Sequence, residues 1–490
     1  MYNRQVEIEV LKLKKAIGCF FKYLILTLLT TATGFLTYYV YKLNILEMKY
    51  FIVLGVVLIL LWSLIVFKLL RKKTKLFSKI IFGIISLILT AVYVIGIKYI
   101  ENTIEFVGNM TGVNYETQKY SVMVLNTSNY LSINDLSKSN IGFLSTNTHL
   151  DETKKTLKEK SEISFTSKNY EDIGTLIASI YNSEISAIVL DDSYIELLTE
   201  NSVAFINESK VIYTFEVRFV ADEEPKEEQI DVKKDPFALY ISGSDSRTTV
   251  YARARSDVNI VAIVNPNTHK ILLISIPRDY YVQLHGTTGT KDKLTHAGIY
   301  GIDMSKNTIQ DLLGININYY AKVSFATVTN VVDVIGGLDL YSDIDFKAHT
   351  NKSCIFTTGM NTVDGKCALA FARERYAYMT GDRHRGENQQ AVITAIINKL
   401  NNPTYLTKYN DILKAIDGSF ETNMSYEEIT NMVKYQLSDL KSWQVESISL
   451  DGTGSMLPTY SMGRQNLYVM IPNEQTVTAA KAKISEYLMN

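Results

Sequence analysis

The sequence predicts a membrane-anchored α/β protein, and three observations carry that reading. Long apolar runs crowd the N-terminus at about residues 20–41, 50–70 and 80–97. Further on, apolar runs of strand length alternate with stretches of helical periodicity, the pattern of sheets covered by helices. A charge-rich stretch with two prolines, ADEEPKEEQIDVKKDP at residues 221–236, reads as a linker that divides this second portion in two.

Composition sets the outer bounds. At about 150 residues per domain, a chain of 490 residues holds roughly three units. Its 50 Lys+Arg against 51 Asp+Glu give a net charge of -1, without the basic footprint of a general nucleic-acid binder. The three cysteines, Cys19, Cys354 and Cys367, exclude a disulfide-dense scaffold and a four-cysteine zinc site. Apolar residues at 47% exclude a disordered chain. The six histidines are scattered, which does not suit zinc. No Walker loop, HExxH or GxSxG motif occurs.

Each apolar run is about the 20 residues that a bilayer requires. The first is not read as a cleavable signal, because two more follow and no small-residue cleavage site precedes them. Arg4, Lys12, Lys14 and Lys15 precede the first run, and only Lys42 and Lys49 lie between the first and second. Lys68, Arg71, Lys72, Lys73, Lys75 and Lys79 separate the second from the third. The positive-inside rule then places residues 1–100 as a cytoplasmic tail with three transmembrane helices and everything beyond them outside. A direct transcription factor is disfavoured, because only a short tail and one loop would face DNA.

Outside the membrane, residues 101–220 read as a small α/β accessory domain. Strand-like runs at 120–125, 185–190 and 211–217 accompany a helical stretch at 170–181. It carries no cluster of His, Cys or paired carboxylates, so it is expected to be a spacer or protein-binding module. Residues 237–490 form the expected catalytic domain, a mixed sheet covered by helices. A strand at 237–241 runs into the polar loop GSDSR, and strands at 258–264 and 271–276 are joined by the turn NPNTHK. A helix at 305–313 is closed by Gly314, a strand follows at 315–323, and a helix at 326–335 ends at Gly336 and Gly337.

The chemistry lies in the arginines. Arg253, Arg255 and Asp257 fall at i, i+2 and i+4, on one face if the segment is extended. Arg373 and Arg375 in FARERY share that spacing, with Glu374 facing the other way. Two guanidiniums side by side repel unless an anion lies between them. A helix starting in GDRHRGENQQ presents Arg385 and Gln389 on one side of its first turn, where the helix dipole and free N–H groups also favour anions. Arg278 in SIPRD adds another guanidinium beyond a strand end. Guanidinium forks match phosphate oxygens, so the set suits a diphosphate, and Asp245 and Asp257 suit a Mg²⁺ ion bridging it. Spacing alone leaves open the plainer alternative of solvated arginines on exposed faces.

The segments ISGSDSR, RSDVNIVAIVNP, ILLISIPRDYYV, KLTHAGIYG, VVDVIGGLDL and LAFARERYAYMTGDRHRGENQQ, in this order, resemble the LytR-CpsA-Psr family of cell-envelope proteins. The three spans and the α/β module further resemble its capsule-operon, CpsA-like branch in Gram-positive cocci. The resemblance implies an LCP-type mixed-sheet domain that transfers capsular polysaccharide from a polyprenyl-pyrophosphate carrier to peptidoglycan through a phosphodiester. It implies dependence on Mg²⁺, with Mn²⁺ as a substitute, and a pyrophosphatase side activity. Carried over by position, Asp245 and Asp257 hold the metal, while Arg255, Arg278, Arg373, Arg375, Arg385 and Gln389 hold the pyrophosphate. Asp279 is a general-base hypothesis resting only on its adjacency to Arg278. Asn388 departs from the pattern, since many members carry a second arginine or another charged residue there. The expected partners are the lipid-linked donor, peptidoglycan, the membrane and capsule-assembly proteins, with no nucleic acid. A lipid-pyrophosphate phosphatase and a regulator of capsule synthesis are the competing functions.

Two further expectations concern packing. The lipid tail requires an apolar tunnel, for which Val331, Val332 and Ile335 are either a wall or ordinary core. Cys354 and Cys367, 13 residues apart, suit a disulfide closing a hairpin, and Cys19 an apolar filler.

Overall fold

The computed structural model describes residues 2–111, 115–201, 203–220, 230–244, 252–379, 381–402, 405 and 408–489. It separates into two units, Met1–Asn109 with Tyr426–Leu440, and Met110–Ser425 with Lys441–Asn490.

The first unit contains α1 (Tyr2–Leu43), α2 (Met48–Leu70) and α3 (Leu76–Thr111). Within them lie three segments long and apolar enough to cross a membrane: Lys15–Leu43, Met48–Leu70 and Leu76–Phe106. Leu29, Ile65 and Tyr93 are buried where the helices meet, and Trp62 Nε1 donates to Thr30 Oγ1 at 2.9 Å. Phe35, Leu60 and Phe77 stay exposed. An apolar exterior of this extent belongs in lipid, so the three helices anchor the chain in a membrane.

The second unit opens with a five-stranded sheet. In chain order it comprises β1 (Tyr115–Leu125), β2 (Asn140–Leu144), α4 (Leu150–Ser161), β3 (Thr166–Tyr170), α5 (Ile173–Tyr181), β4 (Ala187–Asp191), α6 (Asp192–Glu200), α7 (Ala204–Glu208) and β5 (Ser209–Val220). The strand order is β3-β2-β4-β1-β5. β2 runs parallel to both neighbours, which is why α4 and α5 intervene as crossovers. β1 pairs antiparallel with β4 and β5.

The remainder comprises β6 (Phe237–Ser244), β7 (Val258–Asn265), β8 (Lys270–Ser275), β9 (Tyr281–Val282), β10 (Asp292–Lys293), α8 (Leu294–Ala297), α9 (Ile302–Leu313), β11 (Tyr319–Ser324), α10 (Phe325–Val334), β12 (Leu338–Ser342), β13 (Phe346–Lys347), β14 (Ile355–Phe356), β15 (Gly359–Val363), α11 (Gly365–Ala372), α12 (Asp382–Leu400), α13 (Tyr409–Ile416), β16 (Phe420–Thr422), α14 (Tyr426–Asp439), β17 (Gln444–Ser449), β18 (Gly452–Thr459), β19 (Gly463–Pro472) and α15 (Glu474–Met489). α14 belongs to the first unit, where Tyr426 Oη donates to Leu43 O at 2.9 Å.

The central sheet runs β16-β11-β6-β7-β8-β17, with parallel pairs β11·β6 and β8·β17 among antiparallel ones. Val261, Ile263, Leu272 and Ile274 pack on one face against Ile309, Leu313, Val477 and Ile484 of α9 and α15. α12 covers β7, β8 and β17 on the other face. β7 is accordingly buried along nearly its whole length, as a strand covered on both sides must be.

Three local expectations need correction. The strand expected from 315 starts at Tyr319, because Gly314 caps α9 in the left-handed conformation at φ 67° and Asn318 Oδ1 is occupied in accepting Ala238 N–H. FARERY is no strand: α11 ends at Ala372 and Arg373 is its C-cap. Arg253 to Asp257 lie ahead of β7 rather than within it, so no pleat aligns them. The accessory sheet is also more than a spacer, because Leu176, Ile188 and Leu197 share one apolar core with Leu284, Ile299 and Leu467.

Cys354 and Cys367 form a disulfide with a Cα–Cα distance of 5.3 Å, packed beside Phe356 and Phe371. Cys19 is free and exposed. Closing a loop of this length stabilises by about 3 kcal/mol through the unfolded chain. Replacing both cysteines by serine is therefore expected to lower the thermal midpoint measurably, and an unchanged midpoint would refute a structural role for the bond.

Candidate active site

The antiparallel register of β6, β7 and β8 brings the end of β6, the start of β7 and the end of β8 to one edge of the sheet. Asp257 stands immediately before β7 and donates its backbone N–H to Gly243 O at 2.8 Å. Arg278 follows β8, its carbonyl accepting Thr295 N–H at 2.8 Å, while Ser256 N–H donates to Thr295 O at 3.1 Å. One residue thus ties both arms of the edge in place. α12 supplies the opposite wall. A Cβ at Gly386 would meet Ser275 Oγ at 2.6 Å, so glycine lets the first turn of α12 lie against β8 with Arg385 and Gln389 on the site side.

Seven of the nine expected site residues, Arg255, Asp257, Arg278, Arg373, Arg375, Arg385 and Gln389, line one pocket of about 270 Å³. Asp245 lies outside the described residues. Asp279 sits behind Arg278, with Oδ1 3.1 Å from Lys293 Nζ and Oδ2 3.7 Å from Arg278 Nε. Both of its oxygens face cations, an arrangement that orients Arg278. Arg253 turns away: its Nη1 donates to Thr148 Oγ1 at 2.8 Å and its N–H to Gln118 Oε1 at 3.0 Å, both in the accessory domain.

The arginines are held by distinct partners. Arg278 Nη1 donates to Asp257 Oδ1 at 2.7 Å, and Arg385 Nη2 lies 3.1 Å from Asp382 Oδ1. Arg375 Nη2 donates to Tyr376 Oη at 2.6 Å. The Arg373 guanidinium stacks 4.7 Å above the Phe325 ring, a contact that orients a cation without neutralising it.

Glu374 explains how Arg373 and Arg375 reach the pocket without a strand. It is only 1% exposed. Its Oε1 accepts N–H bonds from Arg375, Tyr376 and Ala377 at 3.0, 2.8 and 3.1 Å, and Oε2 accepts His349 N–H at 2.6 Å. The carboxylate therefore folds the chain after α11 into a tight turn that carries both arginines. The sequence showed an acidic residue between two arginines, and only this buried position turns it into a scaffold.

Among the residues lining the pocket, five arginines face two carboxylates, Glu200 and Asp257. Burial pulls the Asp257 carboxyl upward, but Arg278, Arg385 and Arg255 outweigh it and hold it below the usual range. Burial lowers Arg385, opposed by Asp382, with Arg278 lowering it further; a guanidinium stays charged regardless. Arg255 Nε and Arg278 Nε are buried without a hydrogen-bond acceptor among the described residues. Surplus positive charge among the lining residues, with buried donors that lack an acceptor among the described residues, suits an oxyanion. An ionised carboxylate beside such a site fits a hard cation that completes its shell with phosphate and water. No cluster of three or more metal-ligating side chains occurs among the described residues, which do not include Asp245.

Asn388 donates its side-chain N–H to Phe371 O at 3.1 Å and is buried, so it braces α11 against α12. Val331, Val332 and Ile335 pack with Phe371 and Val392 in the core beside the pocket, as core residues do. Sequence reasoning did not identify Glu200, Phe325, His349, Thr350 or Tyr376 as pocket residues. None of them belongs to a spacing that distinguishes it from its neighbours.

Fold and site define a membrane-anchored α/β protein with an arginine-lined pocket beside a mixed sheet. The LytR_cpsA_psr family model matches residues 211–484, more than half of the chain, and the chain belongs to that family. It is 34% identical over 223 residues to the polyisoprenyl-teichoic acid–peptidoglycan teichoic acid transferase TagU of Bacillus cereus, covering 45% of this chain and 71% of the relative. The corresponding figures for TagU of Enterococcus faecalis are 30% over 273 residues, 54% and 84%. Among solved structures, TagT bound to LIIa-WTA matches with a TM-score of 0.44 at 27% identity, covering 54% of this chain and 94% of that one. Protein gbs0355 from Streptococcus agalactiae matches with a TM-score of 0.45 at 26% identity, covering 52% and 89%.

Proposed function

We propose that this chain is a cell-wall glycopolymer transferase that moves a capsular polysaccharide from a polyprenyl-diphosphate carrier to peptidoglycan as a phosphodiester. The observation that carries the reading is the set of five arginines converging on one pocket, two of them with buried Nε–H groups that lack an acceptor among the described residues, in a chain anchored in the membrane that would hold such a donor. The names of the TagU relatives support transfer to peptidoglycan.

A diphosphate diester is a dianion, and the guanidiniums neutralise and orient it. Arg278, fixed by Asp257 and Asp279, and Arg255 bind from the sheet edge. Arg373 and Arg375 bind from the turn built on Glu374, and Arg385 with Gln389 from α12. An acceptor hydroxyl attacks the phosphorus next to the glycan; its O–P bond forms as the bridging P–O bond breaks, its proton passes to water or to the leaving phosphate, and lipid monophosphate leaves. Charge on the leaving phosphate is stabilised by the same guanidiniums, which are prepositioned and need no reorganisation. Mg²⁺, held by Asp257 and Asp245, would add further charge neutralisation at the phosphates. The distribution of loop cations supports a catalytic domain that works outside the cell. Tethering to the donor's own membrane raises the donor's effective concentration.

The test uses the full-length protein in detergent with polyprenyl-diphosphoryl oligosaccharide, Mg²⁺ and a peptidoglycan fragment, read by mass spectrometry. The expected product is a phosphodiester-linked conjugate. Release of phosphorylated glycan and lipid monophosphate alone would instead make water the acceptor and the protein a phosphatase. Absence of turnover would favour a regulator.

A further inference from the structure

The pocket contains one carboxylate that the catalytic domain does not supply. Glu200, the last residue of α6 in the accessory domain, lines the pocket with the arginines. Its Oε2 contacts Arg255 Nη1, and its Oε1 lies 4.0 Å from Arg278 Nη2. The helix that delivers it is fixed to the catalytic domain. Ser193 Oγ, near the start of α6, donates to Arg253 O at 2.7 Å, and Tyr194 Oη lies 2.9 Å from Tyr300 Oη. The backbone of α6 is thereby held in place while the Glu200 side chain remains 46% exposed, free to swing into water.

We propose that Glu200 is the resident counter-anion of the arginine pocket, displaced by the donor's diphosphate, so that the accessory domain sets donor affinity. The proposal rests on the reading of the pocket as a diphosphate site. Glu200 and a phosphate compete for the same two guanidiniums, Arg255 and Arg278, and two anions cannot share them without a cation between. In the absence of donor, the carboxylate lowers the mutual repulsion of two nearby guanidiniums and keeps their forks aligned. When donor arrives, a half-exposed carboxylate is released into water at small cost. Glu200 thereby weakens binding of every diphosphate. It also gives the accessory domain a part in the reaction without a catalytic group of its own.

The experiment is calorimetric titration of inorganic pyrophosphate into the full-length protein at fixed ionic strength with chelator present. Wild type is compared with E200Q, E200A, R255Q and the double variant E200Q/R255Q, with thermal midpoints recorded to verify folding. E200Q and E200A are expected to bind about tenfold more tightly, a difference of about 1.4 kcal/mol. That gain is expected to shrink in the R255Q background, where the shared guanidinium is gone. In the transfer assay the KM for donor should fall in E200Q while kcat is maintained. Unchanged affinity in E200Q overturns the proposal by reducing the contact to a surface ion pair. Weaker affinity, or a fall in kcat at unchanged KM, overturns it by making the carboxylate a ligand or proton acceptor. Failure of wild type and all variants to bind pyrophosphate would instead reject the diphosphate reading of the pocket, and the proposal with it.

Discussion

Replacing Arg278 by alanine is expected to lower kcat/KM for the lipid-linked donor by about a thousandfold or more, while the protein still folds. Arg278 is engaged on several sides. Its side chain is 15% exposed and lies near the carboxylates of Asp257, Asp279 and Glu200. Losing it removes a guanidinium from the developing charge and also strips Asp257 of its 2.7 Å partner. The uncompensated carboxylate then repels the diphosphate, so the two effects reinforce one another. Lysine should restore little, because a point charge cannot reproduce the fork that faces Asp257 and the pocket together. The folded state should survive, since the site opens to solvent and water can occupy the vacated volume. Turnover within tenfold of wild type, measured with the full-length protein, would remove Arg278 from the phosphate site. Arg373→Ala is expected to act in the same direction.

Glu374→Ala is expected to produce the second large effect, and a different kind of loss. The carboxylate touches no pocket surface, yet it accepts four backbone N–H bonds. Alanine leaves those donors without their acceptor in a half-buried turn, at a cost of up to about 1–3 kcal/mol for a single such group and less than additively for several. A fall in stability of about 3–5 kcal/mol, read as a lower thermal midpoint, is the expected outcome. Turnover should fall about a hundredfold in the protein that remains folded, because displacing a positioned group by about 1 Å costs that much. Glutamine should rescue part of the stability, since one side-chain oxygen can still accept the three bonds made by Oε1. Its amide N–H₂ would then face His349 N–H, donor against donor, so the rescue should be incomplete. Unchanged stability and turnover in Glu374→Ala would show that the turn is held by other contacts.

Several parts of this arrangement were legible in the sequence because they depend on local pattern. Spans reveal themselves by unbroken apolar length, and β7 and β8 by short β-branched runs. The helix containing Arg385 and Gln389 shows in its periodicity, and the closing glycine of α9 in its place after the last periodic residue. The arginines themselves were legible as a type of residue repeated at short spacing. Their grouping was inferred from charge repulsion and from family resemblance, and it is the register of β6, β7 and β8 with the packing of α12 that brings them to one pocket.

Local spacing misled where side chains answer to partners distant in the chain. Arg253 and Arg255 are two residues apart, yet Arg253 turns to Thr148 and Arg255 lines the pocket, because no strand pleat constrains them. Arg373 and Arg375 share the pocket through a turn wrapped on Glu374, an acceptor whose burial no spacing announces. Glu200 stands at an ordinary helix end, 55 residues before Arg255 in the sequence, and reaches the arginines only because the two domains share one apolar core. The sequence by itself thus showed the membrane spans, β7 and β8, the helices α9 and α12 and the residue type that lines the pocket, all of which follow from periodicity and residue type. Which cations converge, what holds them and which carboxylate occupies them in the resting state were decided by tertiary structure alone, because those contacts join residues whose separation along the chain carries no periodic signal.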